Sequence, residues 1–155
     1  MRRIATVLAL ALGLTGCATT TPYGNYLRDT NIDQAQLAGD AVNRLAALYP
    51  PAKVRLELQQ PTPDAFGSAL VTGLRDRGYA ILEFNPKSSK SDPIPQSSTP
   101  APSNAVQALP LRYVLDQAGS NLFRLTLMVG SQSIARPYLY QDGKLAAAGN
   151  WARKE

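Results

Sequence analysis

The chain of 155 residues has no histidine. That absence excludes histidine acid–base catalysis, the Ser-His-Asp triad and every histidine metal site. There is one cysteine, so no intrachain disulfide can form and cysteine-cluster zinc or iron–sulfur sites are excluded. GxSxG, HExxH, Walker and GxGxxG patterns are also missing. Asp64, Glu57, Glu83 and Asp116 supply carboxylates, but none is paired at a telling spacing, and Gly67-Ser68 has no histidine partner. No catalytic residue, metal site or cofactor is therefore assigned. The formal charge is +5, but Arg2 and Arg3 lie in a segment expected to be removed. The remainder is only mildly basic, which argues for no nucleic-acid partner. Nothing in the sequence points to a small-molecule substrate.

What is present begins at the N-terminus. Met1-Arg2-Arg3 is a short positive region, and Ile4 to Leu14 is almost wholly apolar. That run is too short for a membrane-spanning helix, which needs about 20 residues, and has the length of a signal-peptide core. Leu14-Thr15-Gly16-Cys17 follows and resembles the bacterial lipobox. The resemblance implies cleavage between Gly16 and Cys17 and acylation of Cys17, which then holds the chain to a membrane. Several acyl chains on one residue make release very slow, whereas a single chain anchors only marginally. Ala18 in place of an aspartate favours, by resemblance to Gram-negative sorting, the outer membrane with the domain facing the periplasm. The expected organisation is a signal peptide over 1–16, a flexible tether over 17–29 and a single domain over 30–155. Tyr23 and Tyr26 in the tether can sit at the membrane interface or dock on the domain.

Periodicity sets the expected fold. Ala38, Ala41, Val42, Leu45, Leu48 and Tyr49 form one apolar helical stripe within Thr30–Tyr49, with Thr30 or Asn31 as the cap. Lys53 to Gln60 alternates as a half-buried strand. Thr62-Pro63-Asp64 opens a second helix, with Thr62 expected as N-cap and Pro63 at the first helical position. Gly73 on its inner face permits close packing on the sheet, and Gly78 ends it. Tyr79 to Phe84 is nearly continuously apolar and reads as a more central strand, closing a strand–helix–strand unit whose crossover is right-handed if its two strands are parallel neighbours. Residues 85–107 contain five prolines and six serines and cannot bury enough surface to fold. They read as a disordered excursion inside one domain, either an extended reach to a partner or a dispensable loop.

The last third alternates as antiparallel strands. Leu109, Leu111, Tyr113 and Leu115 share one face, and Phe123, Leu125, Leu127 and Val129 repeat the pattern. Ser133 to Tyr140 is a third strand whose Pro137 places it at an edge or a bulge. Asp142-Gly143 is a hairpin turn, and Lys144 to Trp151 returns. The expected fold class is α+β: two helices on one face of a mixed, mostly antiparallel sheet of about five to six strands, in the order α-β-α-β-β-β-β-β. Arg136, Tyr138, Tyr140 and Trp151 gather residue types favoured at protein interfaces. The same rings can instead close the edge of the core.

Leu109-Pro110-Leu111-Arg112-Tyr113-Val114-Leu115-Asp116-Gln117, Phe123 to Gly130, Ser133 to Tyr138 and Gly149-Asn150-Trp151 resemble the TrbH family of conjugal transfer lipoproteins. Tyr23-Gly24-Asn25-Tyr26 and Thr62 to Gly78 are similar too, while Ala135 and Ala146 stand where the family favours bulkier aliphatics. The resemblance implies a structural or assembly component of mating-pair formation, a type IV secretion apparatus, with partners among its other proteins and no DNA contact. Asp64 to Ile81 is also similar to part of the periplasmic assembly lipoproteins related to flagellar and curli secretion. That likeness keeps a general envelope lipoprotein as the alternative, with an enzyme of unknown chemistry as a third reading.

Overall fold

The computed structural model of the chain describes residues 22–27, 32–86 and 107–154. Strand β1 is Gly24–Asn25, helix α1 Gln34–Leu48, strand β2 Val54–Leu58, helix α2 Ala65–Asp76 and strand β3 Ala80–Leu82. Strands β4 (Gln107–Gln117), β5 (Leu122–Val129), β6 (Gln132–Gln141), β7 (Lys144–Ala147) and β8 (Ala152–Lys154) follow. The sheet runs β3-β2-β4-β5-β6-β7, with β1 also on β4 and β8 also on β6. Six positions across thus hold eight strands. The β3-β2-β4 part and the β1–β4 pair are parallel, and the rest is antiparallel. This is the expected α+β class, with a few more strands and a larger parallel share.

The helix ends explain their own positions. The cap of α1 is Asp33, whose carboxylate accepts from Gln36 N at 3.0 Å; the expected Thr30 and Asn31 lie outside the described residues. Ile32 and Leu37, before the cap and one turn into the helix, both join the core, as in a hydrophobic staple. The cap of α2 is Asp64, which accepts from Gly67 N at 3.0 Å, so the expected Thr62 cap is two residues too early. A carboxylate with a second buried donor to satisfy outcompetes the threonine hydroxyl there. At the other end Gly78 (φ +84°) donates to Arg75 O at 2.8 Å, and Tyr79 N donates to Leu74 O at 3.1 Å. This pair of bonds is a Schellman close, and it needs glycine at the left-handed position.

Both helices cover one face of the sheet. On that face Leu56, Leu111, Tyr113, Leu115, Leu125 and Leu127 are wholly buried against Leu37, Leu45, Phe66 and Leu70. Gly73 faces α1 and not the sheet: a Cβ there would lie 3.0 Å from Val42 Cγ2. The run Tyr79–Phe84 does not make a central strand. Its β3 is three residues long, lies at the sheet edge and leaves Leu82 56% exposed. Tyr79 is buried because it closes the helix, and that inflated the apolar run. The central place next to β2 goes to β4, which arrives after residues 87–106, the heart of the expected disordered loop; these lie outside the described residues. The strands flanking that segment therefore belong to one sheet.

Pro137 lies on β6, with β5 on one side and two short strands sharing the other. Its carbonyl accepts from Ala148 N at 2.9 Å, so its missing N–H points toward the break between β7 and β8. The proline thus costs no bond to β5 and splits the expected Lys144–Trp151 strand in two. At the Asp142-Gly143 turn both residues have positive φ (52° and 75°), the conformation of a tight hairpin turn.

Candidate functional site

Two polar clusters sit within the helix–sheet layer. The first gathers three of the residues singled out by sequence. Arg136 Nη1 donates to both Asp40 carboxylate oxygens, at 3.0 and 2.8 Å, and its Nε donates to Gly149 O at 2.8 Å. The Tyr138 hydroxyl donates to Asp40 Oδ2. The guanidinium lies 5.8 Å from the Tyr138 ring centre and 6.0 Å from that of Trp151. Together these ties bind α1, β6 and the segment leading into β8. Tyr138 is only 4% exposed, so it belongs to the core and offers no docking surface. Trp151 is half-buried against the core. Tyr140 stands apart: it lines an open pocket of about 370 Å³ with Gln36 and Lys144, and its N–H donates to Asn121 O at 2.8 Å. Gly16 and Cys17 lie outside the described residues.

The second cluster centres on Asp64. Its Oδ1 accepts from Gly67 N and from Asn25 Nδ2, both at 3.0 Å, and its Oδ2 accepts from the Tyr113 hydroxyl at 2.5 Å. Gln34 Oε1 accepts from Asn25 Nδ2 at 2.9 Å and from Phe66 N at 3.0 Å. Asn25 therefore bridges both helix starts while its backbone pairs with β4. Residues 24–25, expected within a flexible tether, form a strand instead. Tyr23 lies under Arg112, with 5.0 Å between the guanidinium and the ring centre, so it docks on the domain. The Tyr113 ring meets Phe66 edge-on at 4.9 Å. A Cβ on Gly67 would lie 2.4 Å from the Tyr113 oxygen, so only glycine leaves room for the Tyr113–Asp64 bond.

Burial, reinforced by a neighbouring carboxylate, pushes the Tyr113 and Tyr138 hydroxyls far above their ordinary pKa. Burial also raises that of Tyr79, opposed by Arg77. These groups hold protons and bonds; their surroundings keep them from ionising. Asp40, Asn25, Gln34 and Tyr113 were missed as polar-cluster members. Gln34 was findable, since extending the α1 stripe back one turn puts a glutamine on the buried face.

Among the described residues no group of three or more Cys, Asp or Glu is placed to hold a metal ion. No helix among them is long and apolar enough to cross a membrane. No curated protein and no solved structure matches the chain. The family model described as conjugal transfer protein TrbH matches residues 20–155, which takes in the described strands, both helices and both polar clusters. The chain therefore belongs to the TrbH family of conjugal transfer proteins.

Proposed function

We propose that the protein is an outer-membrane lipoprotein acting as a structural or assembly component of a conjugative type IV secretion apparatus. The family match over 20–155 carries this reading. The lipobox-like Leu14-Thr15-Gly16-Cys17 supplies the anchor. Cleavage between Gly16 and Cys17 and acylation of Cys17 leave the single domain, strand β1 included, on the periplasmic side. There the domain holds other mating-pair proteins in position and carries out no chemistry of its own. Its polar clusters fit that role, because bonds that join helix starts, central strand and C-terminal segment make a stiff unit for others to lean on.

Labelling cells with radioactive palmitate tests the anchor. The wild-type chain is expected to take up label and Cys17→Ser to take up none. Transfer frequency from donor cells should fall in the same variant while the protein remains present. Equal labelling of both proteins overturns the anchor, and undiminished transfer from donors lacking the protein overturns the assembly role.

A further inference from the structure

The chain makes two crossovers between parallel strands, and they step in opposite directions. The first runs from β2 through α2 to β3, on one side of β2. The second runs from β3 back past β2 to β4, on its other side. All three strands are parallel. Crossovers of this kind are right-handed in nearly every case. Two crossovers of one hand that step in opposite directions across a sheet lie on opposite faces of it. The first carries α2 and lies on the helix face, so the rule assigns the second to the face that the helices leave open.

The ends of the second crossover agree. Glu83 and Phe84 lie beside Gln60 and Pro61, at the carboxyl end of β2. Gln107 enters β4 level with Val54, at the amino end of β2. The return spans two strand spacings sideways and three residues lengthwise, about 14 Å in all, well within the reach of residues 87–106. On the helix face the direct way is filled, since Leu56 and Leu111 are wholly buried there. A chain on that side has to pass outside a helix, about 10 Å further out.

The open face also offers something to cover. Val54, Leu56 and Leu58 are buried toward the helices, so Arg55 and Glu57 point away from them. Ala80 and Leu82 are in register with those two and share the open face. Leu82 is 56% exposed, and Pro110 stands across Glu57 from it. Among residues 87–106 the large apolar side chains are Ile94 and Val106. Val106 adjoins β4 in sequence, which leaves Ile94, near the middle of the crossover. Pro93 and Pro95 flank it, and such neighbours restrict the backbone and lower the entropy lost on docking.

We propose that residues 87–106 cross the sheet on its open face and lay Ile94 against Leu82, so that the chain itself covers the β3–β2 part of that face. A partner that docks on the open face then has only the part from β5 to β8 to use.

Methyl nuclear magnetic resonance on the full chain in detergent tests this. Cys17→Ser leaves an added thiol as the only one in the chain. A nitroxide on Ser98→Cys is expected to broaden the methyl signals of Leu82 and Met128, on the open face. It should spare Ala47 and Thr72, on the outer sides of the helices. Ile94→Ser and Leu82→Ser should each lower the ratio of docked to undocked segment about tenfold, the worth of one buried aliphatic side chain. Broadening of Ala47 and Thr72 with Leu82 spared overturns the proposal, as does equal broadening of both faces or none of either. Broadening at Met128 that Ile94→Ser leaves unchanged overturns the contact with Leu82. Mixing nitroxide-bearing chains with isotope-labelled chains should broaden nothing; broadening there means that a second copy supplies the segment, and overturns the proposal too.

Discussion

The tyrosine–carboxylate bonds are the residues on which the fold is most exposed to test. Gly67→Ala drives a methyl into the Tyr113 hydroxyl, and a destabilisation of about 1–3 kcal/mol is expected. Adding Tyr113→Phe removes the obstructing oxygen, so the double variant should lose less than the two single losses combined, read from urea midpoints. Asp40→Ala leaves the Tyr138 hydroxyl and Arg136 Nη1 without their acceptor, while Arg136 Nε keeps Gly149 O. It should cost about 1–3 kcal/mol in the same assay; an unchanged midpoint would show that the cluster contributes nothing. Both tyrosines stay protonated in the fold, while the unfolded chain releases their protons near the ordinary value of 10.0. The folded pKa is the higher one, so this stabilisation is whole below about pH 10 and drains away as pH rises further. Urea midpoints followed from about pH 8 to about pH 11 should fall late and steeply, with a slope approaching about 1.4 kcal/mol per pH unit for each tyrosine. Tyr113→Phe with Tyr138→Phe should flatten that fall.

At the scale of elements, the turn between β6 and β7 is the sharpest test. Gly143→Val forces a β-branched residue to φ 75° and should cost roughly 1–3 kcal/mol in thermal or urea unfolding. That hairpin, α2 with its closing glycine, and strands β4 and β5 were legible because each is set by neighbours in sequence. Turn chemistry, 3.6-residue spacing and strict alternation all act over a few residues. The expected errors came where a distant group decides. Thr62 lost the cap to Asp64 because Tyr113, far along the chain, needs that carboxylate. Tyr79–Phe84 looked central because local apolarity does not say which edge of β2 the next strand will take. Gly24–Asn25 looked like tether because a two-residue strand has no periodicity to see. The candidate interface shows the same limit: the sequence leaves Tyr138 open as docking patch or core edge, and Asp40 on α1 draws it into the core.

For the whole molecule, the sheet owes its shape to a division of labour along β4 and β6. Each is long enough to carry two short partners end to end on one side, β2 then β1 on β4 and β7 with β8 on β6. The N-terminal strand is thereby joined to the middle of the sheet and the C-terminal strand to its far part, with the helices laid across between. Sequence spacing predicted the layers and the class; it could not show this sharing, because the register of each short strand is fixed only by the long one beside it. β1 also sets a leash. Seven residues of chain separate Cys17, proposed above to carry lipid, from Gly24, where pairing with Val114 begins. Seven residues extend no further than about 25 Å. On the anchoring proposed above, the domain would work close to the membrane surface, and a pull on the anchor would be felt first by β4, the strand with which β1 pairs.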